Sequence, residues 1–255
     1  MNGPGGGRRG AAALCIWLGS ALVAQAPTRE PVQEPTPRPA PVAPPIDPAQ
    51  VERATRLLRD QAAKCRGVAV LVAQYVQRRT TKLAKEPLES RGEFLFVRAP
   101  ACIVFRARTP RVSVVRLREA TYEVYRPQQK QLERFHLDGP ELAQGLFAAV
   151  GGDVDRLLRD FEVRACTDDP EHAALVRIGL VPKRAEVAER LRELVLTLRS
   201  ADASLCAVAY RDHSGDLVEI ELTAPKANPD APPPADFELP EGTTIVEHAV
   251  PRKAQ

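Results

Sequence analysis

The hydrophobic positions change period along the chain. Val51, Ala54, Leu57, Leu58 and Ala62 recur at three- and four-residue spacing, with Gln61 in the same stripe. This is the stripe of an amphipathic helix, opened by Asp47-Pro48, where proline suits the first turn. Gly67 breaks it, and Val68 to Val76 reads as a long strand. From Leu88 onward the period is two. Glu93 to Arg98, Cys102 to Arg106, Val112 to Leu117, Thr121 to Tyr125 and Lys130 to Phe135 are short strands separated by brief turns. Such strands are antiparallel neighbours in a meander.

The middle of the chain is helical. Leu142, Leu146, Phe147 and Val150 follow Gly139-Pro140, and Gly151-Gly152 stops that helix. Asp153 caps a second short helix carrying Val154, Leu157 and Leu158. Strands resume at Phe161–Ala165, Ala174–Leu180, Leu191–Leu198, Leu205–Arg211 and Leu217–Thr223, with Ile245–Ala249 closing the domain. Lys183 to Arg190 is a short polar helix or loop. Asp212-His213-Ser214-Gly215 is the hairpin turn before the Leu217 strand. About eleven strands with few helices predict a mainly β, α+β chain, its antiparallel sheet highly curved or nearly closed. Several strands are apolar on both faces, so both should be covered, one by helices and one by something else.

Composition adds limits. Aromatic residues are only 5% of the 255, which argues against a stacking platform for nucleic acid. Arg8 and Arg9 are the only charges in residues 1–26; without them, 34 basic residues face 33 acidic ones. A near-neutral, interspersed chain has no long-range attraction for nucleic acid or an anionic membrane.

The N-terminus reads as an address. Arg8-Arg9 precede an apolar run from Ala11 to Val23, followed by Ala24-Gln25-Ala26. This is the layout of a secretory signal peptide, and the run is short of the ~20 residues that span a bilayer. The expected organisation is a signal peptide at 1–26, a proline-rich linker at 27–48, one domain at 49–250 and a disordered tail at 251–255. The chain is then exported to the periplasm, with retention of the segment as an uncleaved anchor as the alternative. Nine prolines between Pro27 and Pro48 preclude helix interior and sheet alike. An extended spacer is expected there, with a ligand for a proline-binding module as the alternative.

No catalytic constellation is present in the pattern. His136, His172, His213 and His248 are far apart, near turns, and without metal-ligand spacing, so surface histidines are expected. Asp212-His213-Ser214 holds triad residue types, but consecutively, which forbids a face-to-face relay. Gly151-Gly152-Asp153 lacks the Gly-Lys-Ser/Thr of a phosphate loop. After the first segment the cysteines are Cys65, Cys102, Cys166 and Cys206. Their spacing excludes CxxC motifs and leaves two disulfides or buried thiols open. No enzyme activity, cofactor or metal is expected.

The strand pattern resembles a family. Val68 to Gln77 looks like its first strand. Gly92-Glu93-Phe94-Leu95-Phe96-Val97-Arg98-Ala99-Pro100 resembles its glycine, alternating strand and Arg-x-Pro turn. Ile103-Val104-Phe105-Arg106 and Tyr122-Glu123-Val124-Tyr125-Arg126-Pro127 resemble two later strands, and Asn228 with Phe237-Glu238-Leu239-Pro240 and Gly242 its closing motif. The family is the LolA-type outer-membrane lipoprotein carriers, which share their fold with the sensor RseB. The sequence departs from it in Arg118-Glu119-Ala120, where Asp-Gly is usual, and in Arg126, which replaces an Asp.

The resemblance implies an unclosed β half-barrel around an N-terminal helix and mid-chain lid helices, with an apolar cavity between. It implies a monomeric, non-catalytic periplasmic carrier of lipoprotein acyl chains or other lipids. Its partners would be an inner-membrane release complex and an outer-membrane acceptor, not nucleic acid. The alternative is a sensor-type module that binds a protein; a weaker one is a structural domain whose cavity is filled by its own side chains. Candidate cavity residues are Phe94, Phe96, Ile103, Phe105, Val114, Tyr122 and Val124. Leu146 and Phe147 join them from the segment nominated as lid, Leu142 to Val150, for which a static core helix is the alternative. Arg98 is a candidate to bond lid carbonyls, as a strand arginine does in the carriers; otherwise it is a solvated strand-end arginine.

Overall fold

A computed structural model describes residues 47–118, 121–136 and 141–248. The segments expected to be a signal peptide (1–26), a linker (as far as Ile46) and a tail (251–255) lie outside the described residues. Helix α1 runs over Pro48–Cys65, and the Asp47 carboxylate accepts from the Ala49 amide at 3.0 Å, satisfying one of its free N–H groups. Ala54, Leu58 and Gln61 are its buried face.

A first meander follows: β1 (Val70–Thr80), β2 (Leu88–Val97), β3 (Cys102–Thr109), β4 (Ser113–Arg118), β5 (Thr121–Arg126) and β6 (Gln131–His136). Helices α2 (Glu141–Gly151) and α3 (Val154–Asp160) cross to a second meander. This comprises β7 (Phe161–Asp168), β8 (Leu175–Pro182), β9 (Leu191–Arg199), β10 (Leu205–Asp212) and β11 (Leu217–Ala227), with α4 (Ala185–Ala188) between β8 and β9. Last comes β12 (Thr244–His248).

All twelve strands join one sheet in the order β12-β6-β5-β4-β3-β2-β1-β11-β10-β9-β8-β7. The sheet does not close on itself; it is an open half-barrel. The two meanders are sewn together where β11 pairs antiparallel with β1. The β1–β2 arms run further than their apolar cores suggest. The Arg78–Glu89 ion pair extends them across β1–β2, and Arg79 reaches the buried Asp216 in the turn before β11. Strand β12 is not part of a meander: it pairs parallel with β6. The chain leaves β11 at one end of the sheet and crosses the outer face through residues 228–243. It thus re-enters beside Gln131 at the other end, running the same way as β6.

Residues facing each other across a ladder share a face. On the face covered by helices, Val163, Cys166, Val176, Ile178, Leu180, Leu194, Leu196, Leu198 and Val208 pack with Ala54, Leu58, Ala148, Ala149, Leu157 and Val187. The opposite face has its own cover. Ala235 and Val114 pack against the cluster of Leu95, Cys102 and Val104, and Phe237 stacks on Tyr125 at 5.5 Å. Arg116 lies over Phe237 at 4.4 Å and, with Arg118, holds Asp236. The strap at 228–243 is therefore the second cover that doubly apolar strands require.

Candidate functional site

The ladder registers decide which alternate residues look inward. Phe94 faces Phe105 and Phe96 faces Ile103 across β2–β3; Leu117 faces Tyr122 and Val115 faces Val124 across β4–β5. Ile103 faces Leu117 and Phe105 faces Val115, so all eight share one face. It continues through Tyr75, Leu222 and Ile220 into the helix-covered half of the sheet. Phe94, Phe96, Ile103, Phe105, Tyr122 and Val124 are all buried there.

Val114 is a correction. It faces Arg106 on the outer side and belongs to the cluster under Ala235, while Val115 takes the inward place. A run of two valines gives no parity signal by itself, so sequence could not choose between them. Tyr75 and Phe135 are inward residues that the pattern left out. Tyr75 meets Phe105 edge-on at 5.1 Å, Phe105 meets Phe94 at 5.2 Å, and Tyr122 meets Phe135 at 5.9 Å.

Helix α2 lies across this face. A Cβ on Gly145 would come within 3.3 Å of the Phe161 ring on β7, and one on Gly151 within 3.0 Å of the Phe96 ring on β2. The two glycines let the helix sit directly on aromatic rings at opposite parts of the sheet. Leu146 packs against the helix-side core, and Leu146 and Phe147 are both half-buried.

The carbonyl end of α2 is latched. A helix leaves its last four carbonyls without partners inside the helix. Here Ala148 O accepts from the Asp153 amide at 2.9 Å, and Ala149 O from the Gln61 side chain at 3.2 Å. Val150 O faces the Cys65 thiol at 3.8 Å, and Gly151 O accepts from Arg98 at 2.9 Å. Arg98 also donates to Val68 O at 2.8 Å and to Cys65 O at 2.7 Å. One guanidinium thus ties together the ends of α1 and α2 and the entry to β1. Gly152 has φ +73°, and a Cβ there would come within 2.8 Å of Cys65 Cβ, so the two helix ends meet backbone to side chain.

The interior has polar handles in its tyrosines. Burial pushes the Tyr75 phenol up to about 12, against the pull of its Ser90 hydrogen bond. Burial, with Tyr122 nearby, raises Tyr210 as well. Both phenols are neutral across the ordinary pH range. Because each binds its proton more tightly folded than unfolded, stability is full below pH 10 and declines above it. Tyr75 alone should cost up to about 3 kcal/mol by pH 12. Absorbance at 295 nm followed against pH should show Tyr75 and Tyr210 ionising only with unfolding; ionisation of either near pH 10 in the folded chain would contradict this arrangement.

All four described cysteines are free thiols, and burial raises each of them. The histidines do not converge. His136 lies 3.1 Å from Glu247, His172 3.5 Å from Asp169, and His213 is exposed in its turn. His248 departs from the surface expectation: half-buried, it stacks on Phe135 at 4.2 Å. Ser214 bonds Asp212 at 2.6 Å, so that trio closes a hairpin.

The description "Outer membrane lipoprotein carrier protein LolA-like" matches residues 53–238, most of the chain. The chain belongs to this LolA-like family. Among curated proteins, none matches it significantly. Three solved structures are similar to it. A LolA superfamily protein from Nitrosomonas europaea is 13% identical over 69% of this chain and 95% of its own, with TM-score 0.37. Lipoprotein LppX from Mycobacterium tuberculosis is 13% identical over 70% and 95%, with TM-score 0.39. The MucA/MucB complex from Pseudomonas aeruginosa is 14% identical over 71% of this chain and 59% of the matched chain, with TM-score 0.40. The family's name describes carriers rather than catalysts, and no group of three or more His, Cys, Asp or Glu is placed to hold a metal ion among the described residues.

Proposed function

We propose that this LolA-like chain is a non-catalytic carrier of acyl chains, from lipoproteins or other lipids, in the periplasm. The ligand lies on the inner face made by Phe94, Phe96, Ile103, Phe105, Tyr122 and Val124, under Leu146 and Phe147 of α2. The carrying observation is that an apolar inner face meets, at Phe96, a helix whose carbonyl end is fastened by Arg98 together with Gln61 and the Asp153 amide. In the observed conformation the face is closed, with Phe94 and Tyr122 each 2% exposed. An acyl chain enters when the carbonyl end of α2 lets go of its latch and the helix swings away, and each methylene buried contributes about 0.8 kcal/mol. Return of α2 refills the space and expels the chain, so release needs no covalent step.

Mass spectrometry of organic-solvent extracts of the native, exported protein tests this reading. Bound acyl species are expected. Their absence, together with no uptake of a fluorescent fatty acid, overturns it; a membrane protein co-purifying with the lipid-free chain would favour the sensor-type alternative.

Arg98→Leu removes the guanidinium bonds to Gly151 O, Cys65 O and Val68 O, and its contact over the Phe96 ring, while the Asp153 and Gln61 bonds to α2 remain. The open state should gain by roughly tenfold or more. Retention of a fluorescent fatty acid should rise accordingly, with Arg98→Lys in between. Unchanged retention would show that Arg98 only holds the fold.

A further inference from the structure

The inner face leaves one end of the half-barrel unexplained. Antiparallel topology brings the β1–β2, β3–β4 and β5–β6 tips to the same end. The β10–β11 tip is there too, since a Cβ on Gly215 would lie 3.6 Å from Lys82 Nζ. Neighbouring tips stand roughly 10 Å apart, two strand spacings.

Charge is segregated on this end. Residues 78–91, 107–113 and 126–131 hold nine basic and two acidic residues. Arg211, Asp212 and Asp216 at the fourth tip return one negative charge, and Glu241 of the strap turn another. Arg78, Arg79 and Arg91 are taken up by Glu89, Glu221 and Asp216. Lys82, Lys85, Arg108, Arg111 and Lys130 stand exposed. The near-neutral total therefore conceals a basic pole, and a sum over the chain could not show it.

The same tips display three of the four large hydrophobic side chains exposed among the described residues, the fourth being Ile245 on β12. Leu83 is 99% exposed, Leu88 53% and Val112 45%. Leu83 lies between Lys82 and Lys85, and Val112 follows Arg111. Such an aliphatic side chain exposed to water returns no packing. Set among lysines and arginines on protruding turns, it can enter the headgroup layer while the cations meet lipid phosphates.

We propose that this end docks on an anionic phospholipid surface, with Leu83 and Val112 as the inserting residues and Lys82, Lys85 and Arg111 as the phosphate contacts. Exposed aliphatic side chains set among exposed cations on neighbouring hairpin tips favour a bilayer over an acidic protein. The surface is separate from the inner face, so a chain unable to hold an acyl ligand would still dock.

The test uses the full chain with Trp17→Phe and Leu83→Trp, which leaves one indole at the tip. Phosphatidylglycerol vesicles should shift its emission to the blue, and lipids brominated on the acyl chain should quench it. Phosphatidylcholine vesicles, or 0.5 M salt, should weaken the effect at least several-fold. Adding Lys82→Glu, Lys85→Glu and Arg111→Glu should weaken binding by roughly fivefold per residue, whereas Lys226→Glu at the opposite end should leave it unchanged. An indole that stays unquenched overturns the proposal. So does quenching that ignores the three charge reversals, or capture of an acidic protein without any vesicle effect. Loss of acyl carriage with quenching retained would refute the proposed function and leave this docking surface standing.

Discussion

Gly92→Ala is expected to cost about 3 kcal/mol of stability and to lower the melting temperature by roughly 6–12 °C. An added Cβ would lie 1.8 Å from the Arg106 carbonyl oxygen and 2.8 Å from its carbon, both backbone atoms of β3. No side-chain rotation relieves that overlap. The β2–β3 register shifts at this point, between Arg91 and Gly92, so the glycine sits where the sheet bends. Tyr75 pairs with Gly92 on the other side and rests on Phe105, so a displaced β3 would disturb the aromatic inner face. Gly67→Ala is the control, because nothing lies within 4 Å of its added Cβ. Thermal denaturation of both variants decides the matter; equal midpoints would mean that β3 yields without cost.

Glu123→Ala should also cost about 3 kcal/mol, by leaving a buried guanidinium without its main partner. The Arg116 side chain is 10% exposed and that of Glu123 5%, and they meet at 2.5 Å. The other Glu123 oxygen accepts from Arg134 at 2.8 Å, and Arg134 continues to Glu247 on β12. One carboxylate thus ties β4, β6 and the last strand together beneath the strap. Asp236 meets the same arginine, but its side chain is 75% exposed, so Asp236→Ala should cost less than about 1 kcal/mol. Urea unfolding of the two single variants compares them directly. Equal losses would show that Arg116 is held by the strap rather than by the sheet.

Most elements were legible because their signals are local. Asp47-Pro48 starts α1, Gly151-Gly152 ends α2, and Asp153 caps α3 with its carboxylate on the Arg156 amide. Strands at short spacing with two-sided apolar character did imply a doubly covered antiparallel sheet. The identity of the second cover was not legible. The strap has no hydrophobic period, and it holds through single contacts from Ala235, Asp236 and Phe237. Asn228 is another such contact: it accepts from the Ala69 and Val70 amides and donates to Gly67 O, at the far end of the domain's sequence. Nothing around position 228 announces a partner 160 residues away.

Sequence by itself determined where the chain turns and which residues alternate, since φ restrictions at proline, freedom at glycine and a two-residue pleat act within a few positions. It could not choose which alternate set faces inward, because a strand rotated by half a turn satisfies the same pattern. Only the docking of α1, α2 and α3 on one side broke that tie, placing Val115 inward and Val114 outward. Tertiary structure alone also gathered Arg98 onto the ends of two helices and collected distant hairpin cations into one pole. Those arrangements depend on which strands become neighbours, and β11 finds β1 only when the whole sheet has formed.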